Sequence, residues 1–466
     1  MDKVSRSSKI IFAFGGLGKD AMFAMSTIMF FYFVNLIGIS AAFIGIMFMV
    51  VRIWDAVNDP VMGGIVSNTH TRMGKFRPWI LIGSGLNAII LVFVFLNPNL
   101  APDSIRMLVY VTVFYTLWGM TYTLMDIPFW SMIPALSQSQ RERENITVLT
   151  RFFTSIGFFI ISAAYLDLAK FLGGGETTRH QITGLFWLSL IVSVVFFLSE
   201  LLLVLKVRER VVPKSQEKIT IRKMFSLIRK NDQLSVVMIV VLIANFVLYI
   251  TSNMAIFFIT YDIGNQGLFF IFIGLGGVLQ VVGALCFPLI RGFLKRKQIF
   301  NASIALQIIG FVLLFTNAFV LDNVVALVFA LGALVFFGQG LQMVLQTVLL
   351  SDTVEYGEYK LGERTEGLAF AVQTFIVKLA MGLSLGVTGI GLDLFGFVAE
   401  VDDMPQPQAQ ATLYAMRVMM FVLPVIGLLL SLYIFNKKHT LDERRYADIV
   451  EILKGRGTYD QEAFEL

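Results

Sequence analysis

The chain has 466 residues, of which 57% are hydrophobic and only 15% charged, with a mean hydropathy of +0.77. A soluble fold has no use for so much apolar surface, so most of it must face lipid, and the net charge of +5 reflects asymmetry across a bilayer rather than nucleic-acid binding. The lone cysteine, Cys286, excludes an intrachain disulfide and reads as packing.

Runs of about 20 apolar residues, the length that crosses a bilayer, recur at 10–36, 41–66, 78–97, 106–135, 146–168, 181–205, 235–260, 266–289, 298–317, 324–350, 365–394 and 411–435. They predict an all-α integral membrane protein of twelve transmembrane helices: an N-terminal six-helix bundle (1–205), a cytoplasmic middle linker (206–234), a C-terminal six-helix bundle (235–435) and a cytoplasmic tail (436–466). The N-terminus has no cleavable-signal pattern, so span 1 is expected to stay in the mature protein. The even-numbered connections and both termini hold about 29 of the 37 Lys and Arg, whereas the odd-numbered connections hold Arg106, Lys170 and Arg179. Positive-inside orientation therefore puts both termini in the cytoplasm, as an even number of spans requires, with the chain in the cell's inner membrane.

In span 1, Lys19 and Asp20 are adjacent, so their side chains diverge by about 100° and are expected to seek partners on other helices. Span 2 carries Arg52-Ile53-Trp54-Asp55-Ala56-Val57-Asn58-Asp59-Pro60. A charge at that depth costs roughly 2.5 kcal/mol or more and marks an ion or substrate path. Asp55, Asn58 and Asp59 stand at i, i+3 and i+4, on one helix face. Two close carboxylates repel unless a cation or proton lies between them, so this face is a candidate cation site.

Span 4 reads Tyr122-Thr123-Leu124-Met125-Asp126-Ile127-Pro128-Phe129-Trp130. Asp126 and Trp130 lie one turn apart, an acceptor beside a flat apolar face, which suits a sugar. An interfacial anchor is the plainer reading of the tryptophan. Arg151 opens span 5, where it pairs with Asp126 or Asp20 or snorkels to the headgroups. The charged stretch 206–234 is read as a linker carrying a short amphipathic helix near 219–230 on the headgroups, or as a solvated connector. Near the inner end of span 10, Asp352, Glu355 and Glu358 form either gate salt bridges with Arg141 or Arg143, or a solvated loop face. In span 11, Lys378, beside Gln373 and Thr374, is a candidate partner for the span 2 carboxylates. The plain alternative makes the four acids (Asp20, Asp55, Asp59, Asp126) and four bases (Lys19, Arg52, Arg151, Lys378) structural ion pairs, although such pairs seldom gain over hydrophobic packing.

The span 2 motif, Gly74-Lys75-Phe76-Arg77-Pro78-Trp79-Ile80-Leu81-Ile82-Gly83, Trp118-Gly119-Met120-Thr121-Tyr122-Thr123 through Trp130, and Asp352-Thr353-Val354-Glu355-Tyr356-Gly357-Glu358 resemble the signatures of the glycoside-pentoside-hexuronide:cation symporters. The resemblance runs from span 1 to span 12. It implies a major facilitator fold of two pseudo-symmetric halves, with sites near the midplane between them, no enzymatic activity and no catalytic residues. It further implies cation-coupled uptake of a small-molecule glycoside or oligosaccharide by alternating access, in a protein functional as a monomer. By the same resemblance, Asp55, Asn58, Asp59 and Thr123 form the cation site and Lys19, Asp20, Tyr122, Asp126, Trp130, Arg151, Gln373 and Thr374 line the sugar site. Arg52 and Lys378 serve as ion-pair partners near the cation. Where the family's sugar pocket has a span 10 tryptophan, this chain has Met343, so that wall is expected to be less aromatic. No appended regulatory domain of the phosphotransferase type is expected.

No cofactor is implied beyond the co-transported ion. Sodium and lithium take hard oxygen ligands, which Asp55, Asn58, Asp59 and Thr123 supply, whereas a proton needs a single carboxylate; four oxygen groups favour sodium. Two other functions compete. A membrane prenyltransferase would use the span 2 Asn-Asp motif to hold magnesium and a diphosphate, but needs a second Asp-rich motif and a basic clamp. A lipid transporter of the same superfamily would have a mostly apolar pocket, against which Lys19, Asp20, Asp126 and Arg151 argue.

Overall fold

Lipid offers a peptide group no hydrogen-bond partner, so a chain this apolar satisfies its backbone internally, as helices. The computed structural model describes residues 4–67, 69, 71–137, 139–209, 221–321, 323–362, 366–399 and 406–455. The helices are α1 (Arg6–Phe31), α2 (Ala41–Ser67), α3 (Arg77–Phe95), α4 (Ile105–Leu136), α5 (Gln140–Gly173), α6 (Thr178–Lys206), α7 (Ile221–Lys230), α8 (Asp232–Phe257), α9 (Leu268–Arg291), α10 (Arg296–Val320), α11 (Val325–Leu361), α12 (Glu366–Leu394), α13 (Gln410–Arg417), α14 (Leu423–Lys438) and α15 (Glu443–Gly455). Among the described residues, twelve helical stretches are long and apolar enough to cross a membrane, the last of them built from α13, a π-helical turn and α14.

The chain divides into two compact units. The first comprises Met1–Lys218, Asn265–Ile273 and Gly389–Thr412, the second Ile219–Gly264, Gly274–Thr388 and Leu413–Leu466. In the first, α1 packs on α5 and α6, α3 on α4 and α6, and α2 on α4. Helix ends are closed by side chains: Ser5 accepts from the Ser8 N–H, Ser104 from Met107 and Thr177 from His180.

The Gly74-Lys75-Phe76-Arg77 segment is the cap of α3. The Glu209 carboxylate, just past α6, accepts the N–H groups of Lys75 (2.8 Å), Phe76 (2.8 Å) and Arg77 (3.2 Å), an anion at the positive end of a helix dipole. Arg77 Nε donates to Val204 O at 2.7 Å, tying α3 back to α6. Gly74 has φ +110°, and a Cβ there would lie 2.5 Å from Glu209 Oε1, so only glycine fits.

Spans 1 and 7 end alike. Tyr32–Leu36 and Phe258–Asp262 are each a five-residue π turn, each followed by an isoleucine and a glycine with positive φ, Gly38 at 83° and Gly264 at 77°. The backbone thus repeats between the halves although the side chains differ.

In the second unit α8 and α10 pack on both α11 and α14. Asp262, at the end of its π turn, accepts a forked pair of bonds from Arg417 (2.7 and 2.9 Å) and a third from Asn323 (3.1 Å). Helix α11 continues past the expected end at 350 to Leu361, where Gly362 (φ 79°) stops it. Asp352, Glu355 and Glu358 are therefore buried on a helix, not a solvated loop face. Asp352 pairs with Arg296, and the Arg143 Nε donates to Ser137 O at 2.7 Å; the Arg141 side chain of the expected gate pairing lies outside the described residues. Tyr356 and Lys360 both donate to Asp232, and Asn231 donates to Thr353 O.

Helix α15 closes this end: Leu441, Ile449 and Leu453 pack on Tyr356, and Glu443 accepts the Arg296 N–H at 2.7 Å. Burial, with Lys297 and Arg296 nearby, pushes the His439 imidazole down to about 4. Helix α7 falls where the short amphipathic helix was expected. Its apolar residues Met224 and Leu227 are buried in protein, and Phe225, which meets Phe375 edge-on, stays about half exposed. Residues 210–220 of the expected linker, with Arg210, Lys214 and Lys218, lie outside the described residues.

Replacing Glu209 with Ala strands three N–H groups at the start of α3, and is expected to cost about 1–3 kcal/mol. Thermal unfolding in detergent checks this; an unchanged midpoint would remove the capping role.

Candidate functional site

The polar residues of the first unit gather along α4. Asn87 on α3, fully buried, fixes that helix by donating to Trp118 O at 2.7 Å and Thr121 Oγ1 at 2.9 Å. Pro128, inside α4, supplies no N–H to the carbonyl one turn earlier, which loosens the helix beside Asp126.

Lys19 of α1 is the centre of one cluster. Its Nζ lies 2.8 Å from Asp126 Oδ1 and 2.6 Å from Asp20 Oδ1, and donates to Tyr122 Oη at 3.2 Å. The expectation that Lys19 and Asp20 diverge is overturned: the Cβ atoms do, but the four-carbon stem of lysine swings the ammonium back over its neighbour. The same ammonium stands 5.2 Å from the centre of the Trp130 ring and 5.5 Å from that of Phe129. Lys19 is 3% exposed, whereas the Asp20 and Asp126 side chains are 19% and 31% exposed. The cation is thus sealed in and the carboxylates remain reachable.

Arg151 does not pair with Asp126 or Asp20; it is exposed and lies on Trp130. Helix α5 starts at Gln140, so Arg151 lies about three turns inside it, with its guanidinium 4.0 Å from the centre of the Trp130 ring. Phe129 meets Trp130 edge-on, and Phe23 and Trp118 pack on Tyr122.

The second cluster lies between α2 and α4. Arg52 Nη1 is 3.5 Å from Asp55 Oδ2, both side chains buried, and the guanidinium lies over Trp118 (5.6 Å), Phe23 (5.8 Å) and Tyr115 (6.0 Å). Thr123 Oγ1 donates to Asp59 Oδ1 at 3.4 Å, and Asn58 is half-buried on the same face of α2. Gly119 lets the Asp55 carboxylate rest on the α4 backbone, for a Cβ there would lie 2.8 Å from Oδ1 and 3.1 Å from Oδ2. Among the described residues no three His, Cys, Asp or Glu side chains gather as a metal cage; the oxygens here come from two carboxylates, an amide and a hydroxyl, a mixed set that suits a weakly held hard cation.

Gln373, Thr374 and Lys378 belong to α12 in the second unit, where Thr374 Oγ1 donates to Phe370 O at 3.1 Å. Met343 is largely exposed on α11. Gly119, Asn87, Glu200 and the Asp262–Arg417 pair escaped the sequence reading. Three of these carried a visible signal, a charge in an apolar run, which Glu200 lost to the basic linker that follows it.

Twelve membrane-length helices, with charges buried inside them, fit a membrane transporter, and the comparisons give its family. The profile of the MFS/sugar transport protein family matches residues 11–436. The symporter YnaJ of Bacillus subtilis (strain 168) is 32% identical over 467 residues, covering 97% of this chain and 96% of its own. The lactose permease of Lactobacillus helveticus is 27% identical over 475 residues, covering 96% of this chain and 71% of its own. A solved bacterial homologue of the human lysosomal transporter Spinster, inward-facing and unoccupied, superposes with a TM-score of 0.68 at 13% identity, over 96% of this chain and 99% of that one, which shows the fold. The chain belongs to the glycoside-pentoside-hexuronide:cation symporters of the major facilitator superfamily. It is a sugar symporter, not an enzyme, which removes the prenyltransferase alternative.

Gly119→Ala must displace the Asp55 carboxylate or spread α2 from α4, and is expected to cost about 1–3 kcal/mol. A Cβ at Gly63, also in α2, meets nothing within 4 Å, so Gly63→Ala is expected to be neutral or to gain up to about 1 kcal/mol. Equal melting temperatures for the two variants would count against the close approach.

Proposed function

We propose that the protein couples inward movement of sodium, ahead of lithium or a proton, to uptake of a glycoside by alternating access, as a monomer in the inner membrane with both termini cytoplasmic. The observation that carries this reading is the Lys19 ammonium held between Asp20 and Asp126 beneath Trp130, with Thr123 reaching Asp59 from the same helix that bears Tyr122 and Asp126.

In this reading Asp55, Asn58, Asp59 and Thr123 hold the ion, with Arg52 on the Asp55 carboxylate. Asp20 and Asp126 accept sugar hydroxyls beside Lys19, and Tyr122 offers its hydroxyl. The Trp130 ring stacks on the apolar face of the sugar once the Arg151 guanidinium leaves it, and Arg151 then becomes a hydroxyl donor. Gln373 and Thr374 supply the sugar contacts of the second unit and Lys378 a further charge near the ion. The polar lining is what disfavours a lipid as cargo, and the name of one relative, lactose permease, makes lactose the first glycoside to try.

Uptake of labelled lactose and a panel of other glycosides into membrane vesicles, with and without a sodium gradient, tests the reading. Sodium is expected to raise accumulation at least several-fold; accumulation indifferent to sodium, lithium and pH would reject coupling. Asp59→Cys is expected to abolish accumulation and leave sugar exchange, and Asp126→Ala to remove sugar affinity because it takes away a hydroxyl acceptor and one of the two carboxylates on the buried Lys19. Because Thr123 and Asp126 share α4, sodium should raise sugar affinity by the same factor as sugar raises sodium affinity, about 5- to 150-fold. Calorimetric titration of Thr123→Ala should show that factor shrinking more than sugar affinity measured without sodium.

A further inference from the structure

Glu200 is the one acid in the interior of the first unit that the proposed function does not use. It lies on α6 and is 0% exposed. Neither carboxyl oxygen has a hydrogen-bond partner among the described residues. Its Oε2 rests against α1 where the chain has no side chain: a Cβ on Gly15 would lie 3.6 Å from it. Gly15 is one turn of α1 before Lys19, so the carboxyl sits a single turn from the ammonium that Asp20 and Asp126 share.

The charged and titratable groups around Glu200 come from each element in contact with α6. From α1 they are Lys19 and Asp20, and from α4 Asp126, with Tyr122 bound to Lys19. Helix α3 contributes Arg77, whose guanidinium is engaged with Val204 O. Helix α5 contributes Arg151, exposed over Trp130.

We propose that Glu200 is a proton-binding site whose proton is thermodynamically linked to sugar at Asp20 and Asp126. An ionised carboxylate sealed in an apolar helix interface with no donor is costly, and the neutral acid much less so. When Glu200 releases its proton to the aqueous medium, the cation one turn away becomes its natural partner. Lys19 is then drawn from Asp126 and Asp20, and the acceptors that a sugar needs lose the charge that orders them. The protonated acid leaves Lys19 where it is. Proton and sugar therefore favour the same arrangement, and by linkage sugar binding must take up a proton whenever Glu200 is ionised.

This rests on the sugar-site reading above, and the experiment separates the two. Affinity for lactose, or for the tightest-binding member of the panel, is measured by calorimetry from mildly acidic to alkaline buffer at fixed sodium, and proton uptake on binding is followed with a pH-indicator dye. The wild type is expected to lose affinity about 5-fold or more toward alkaline pH and to take up protons there on binding sugar. Glu200→Gln, which keeps the shape of the protonated acid, is expected to bind as the wild type does in acid and to show neither the pH dependence nor the uptake. Should Glu200→Gln fail to reach the membrane, Glu200→Asp keeps the acid with a shorter reach and is expected to shift the profile along the pH axis. A Glu200→Gln or Glu200→Asp profile identical to that of the wild type, or no proton uptake by the wild type, overturns the proposal. Sugar affinity retained in Asp126→Ala overturns the sugar site itself.

Discussion

An ammonium cannot be left alone inside a bundle of apolar helices, and the first unit is arranged around that constraint. Lys19 is fixed to α1, its strongest partner Asp126 belongs to α4, and Asp20 is its own neighbour. Any arrangement of α1 and α4 that kept the core apolar but separated Lys19 from Asp126 would break the buried pair that joins the two helices, at a cost of several kcal/mol. The pairing therefore sets the register of two helices more firmly than their interchangeable Phe, Met and Leu contacts can. It also goes with the asymmetry of exposure, a sealed cation beside two reachable carboxylates.

Helix α4 carries this arrangement because it meets both polar clusters. Asn87 pins its backbone at Trp118, and directly beyond that point the missing side chain of Gly119 admits Asp55. One turn on, Thr123 reaches Asp59 and Tyr122 reaches Lys19. Thr123 and Tyr122 are consecutive and so point to different sides of the helix. A small rotation or shift of α4 changes both clusters together, and the proposed coupling between two ligands that do not touch rests on that.

Much of this was legible in the sequence, for one reason: charge in an apolar span is expensive, so each charged residue there stands out. Asp55, Asn58 and Asp59 could be placed on one face from their spacing alone, and Asp126 and Trp130 could be set one turn apart. What the sequence did not carry was the choice of partner. The Lys19–Asp20 contact was missed because helical spacing fixes Cβ directions and says little about where a flexible four-carbon stem ends. Arg151 was taken to open a helix that in fact begins well before it. Asp352 found Arg296, a residue read as part of a basic loop, because α11 runs on as helix where the apolar run stops. The repeated π turns at Tyr32–Leu36 and Phe258–Asp262 were invisible because their side chains share little, Leu36 in one half standing where Asp262 does in the other.

The two units use buried charge in contrasting ways. Asp262 in the second unit accepts a forked pair from Arg417 and a third bond from Asn323, with the guanidinium lying between the Phe319 and Tyr414 rings at 5.0 and 5.6 Å. Its lone pairs are filled and its surroundings closed, which is how a buried pair is made permanent. The Lys19 cluster is the opposite. One ammonium is shared by two carboxylates, both partly open, beneath a ring whose other occupant is a guanidinium held only by its face. Each contact there can be exchanged for a hydroxyl at small net cost, because a polar partner replaces a polar partner. A fully satisfied pair would hold a helix in place and refuse a ligand. A shared, under-coordinated one holds the helix only until something with more oxygens arrives, which is what a binding site that must also let go requires.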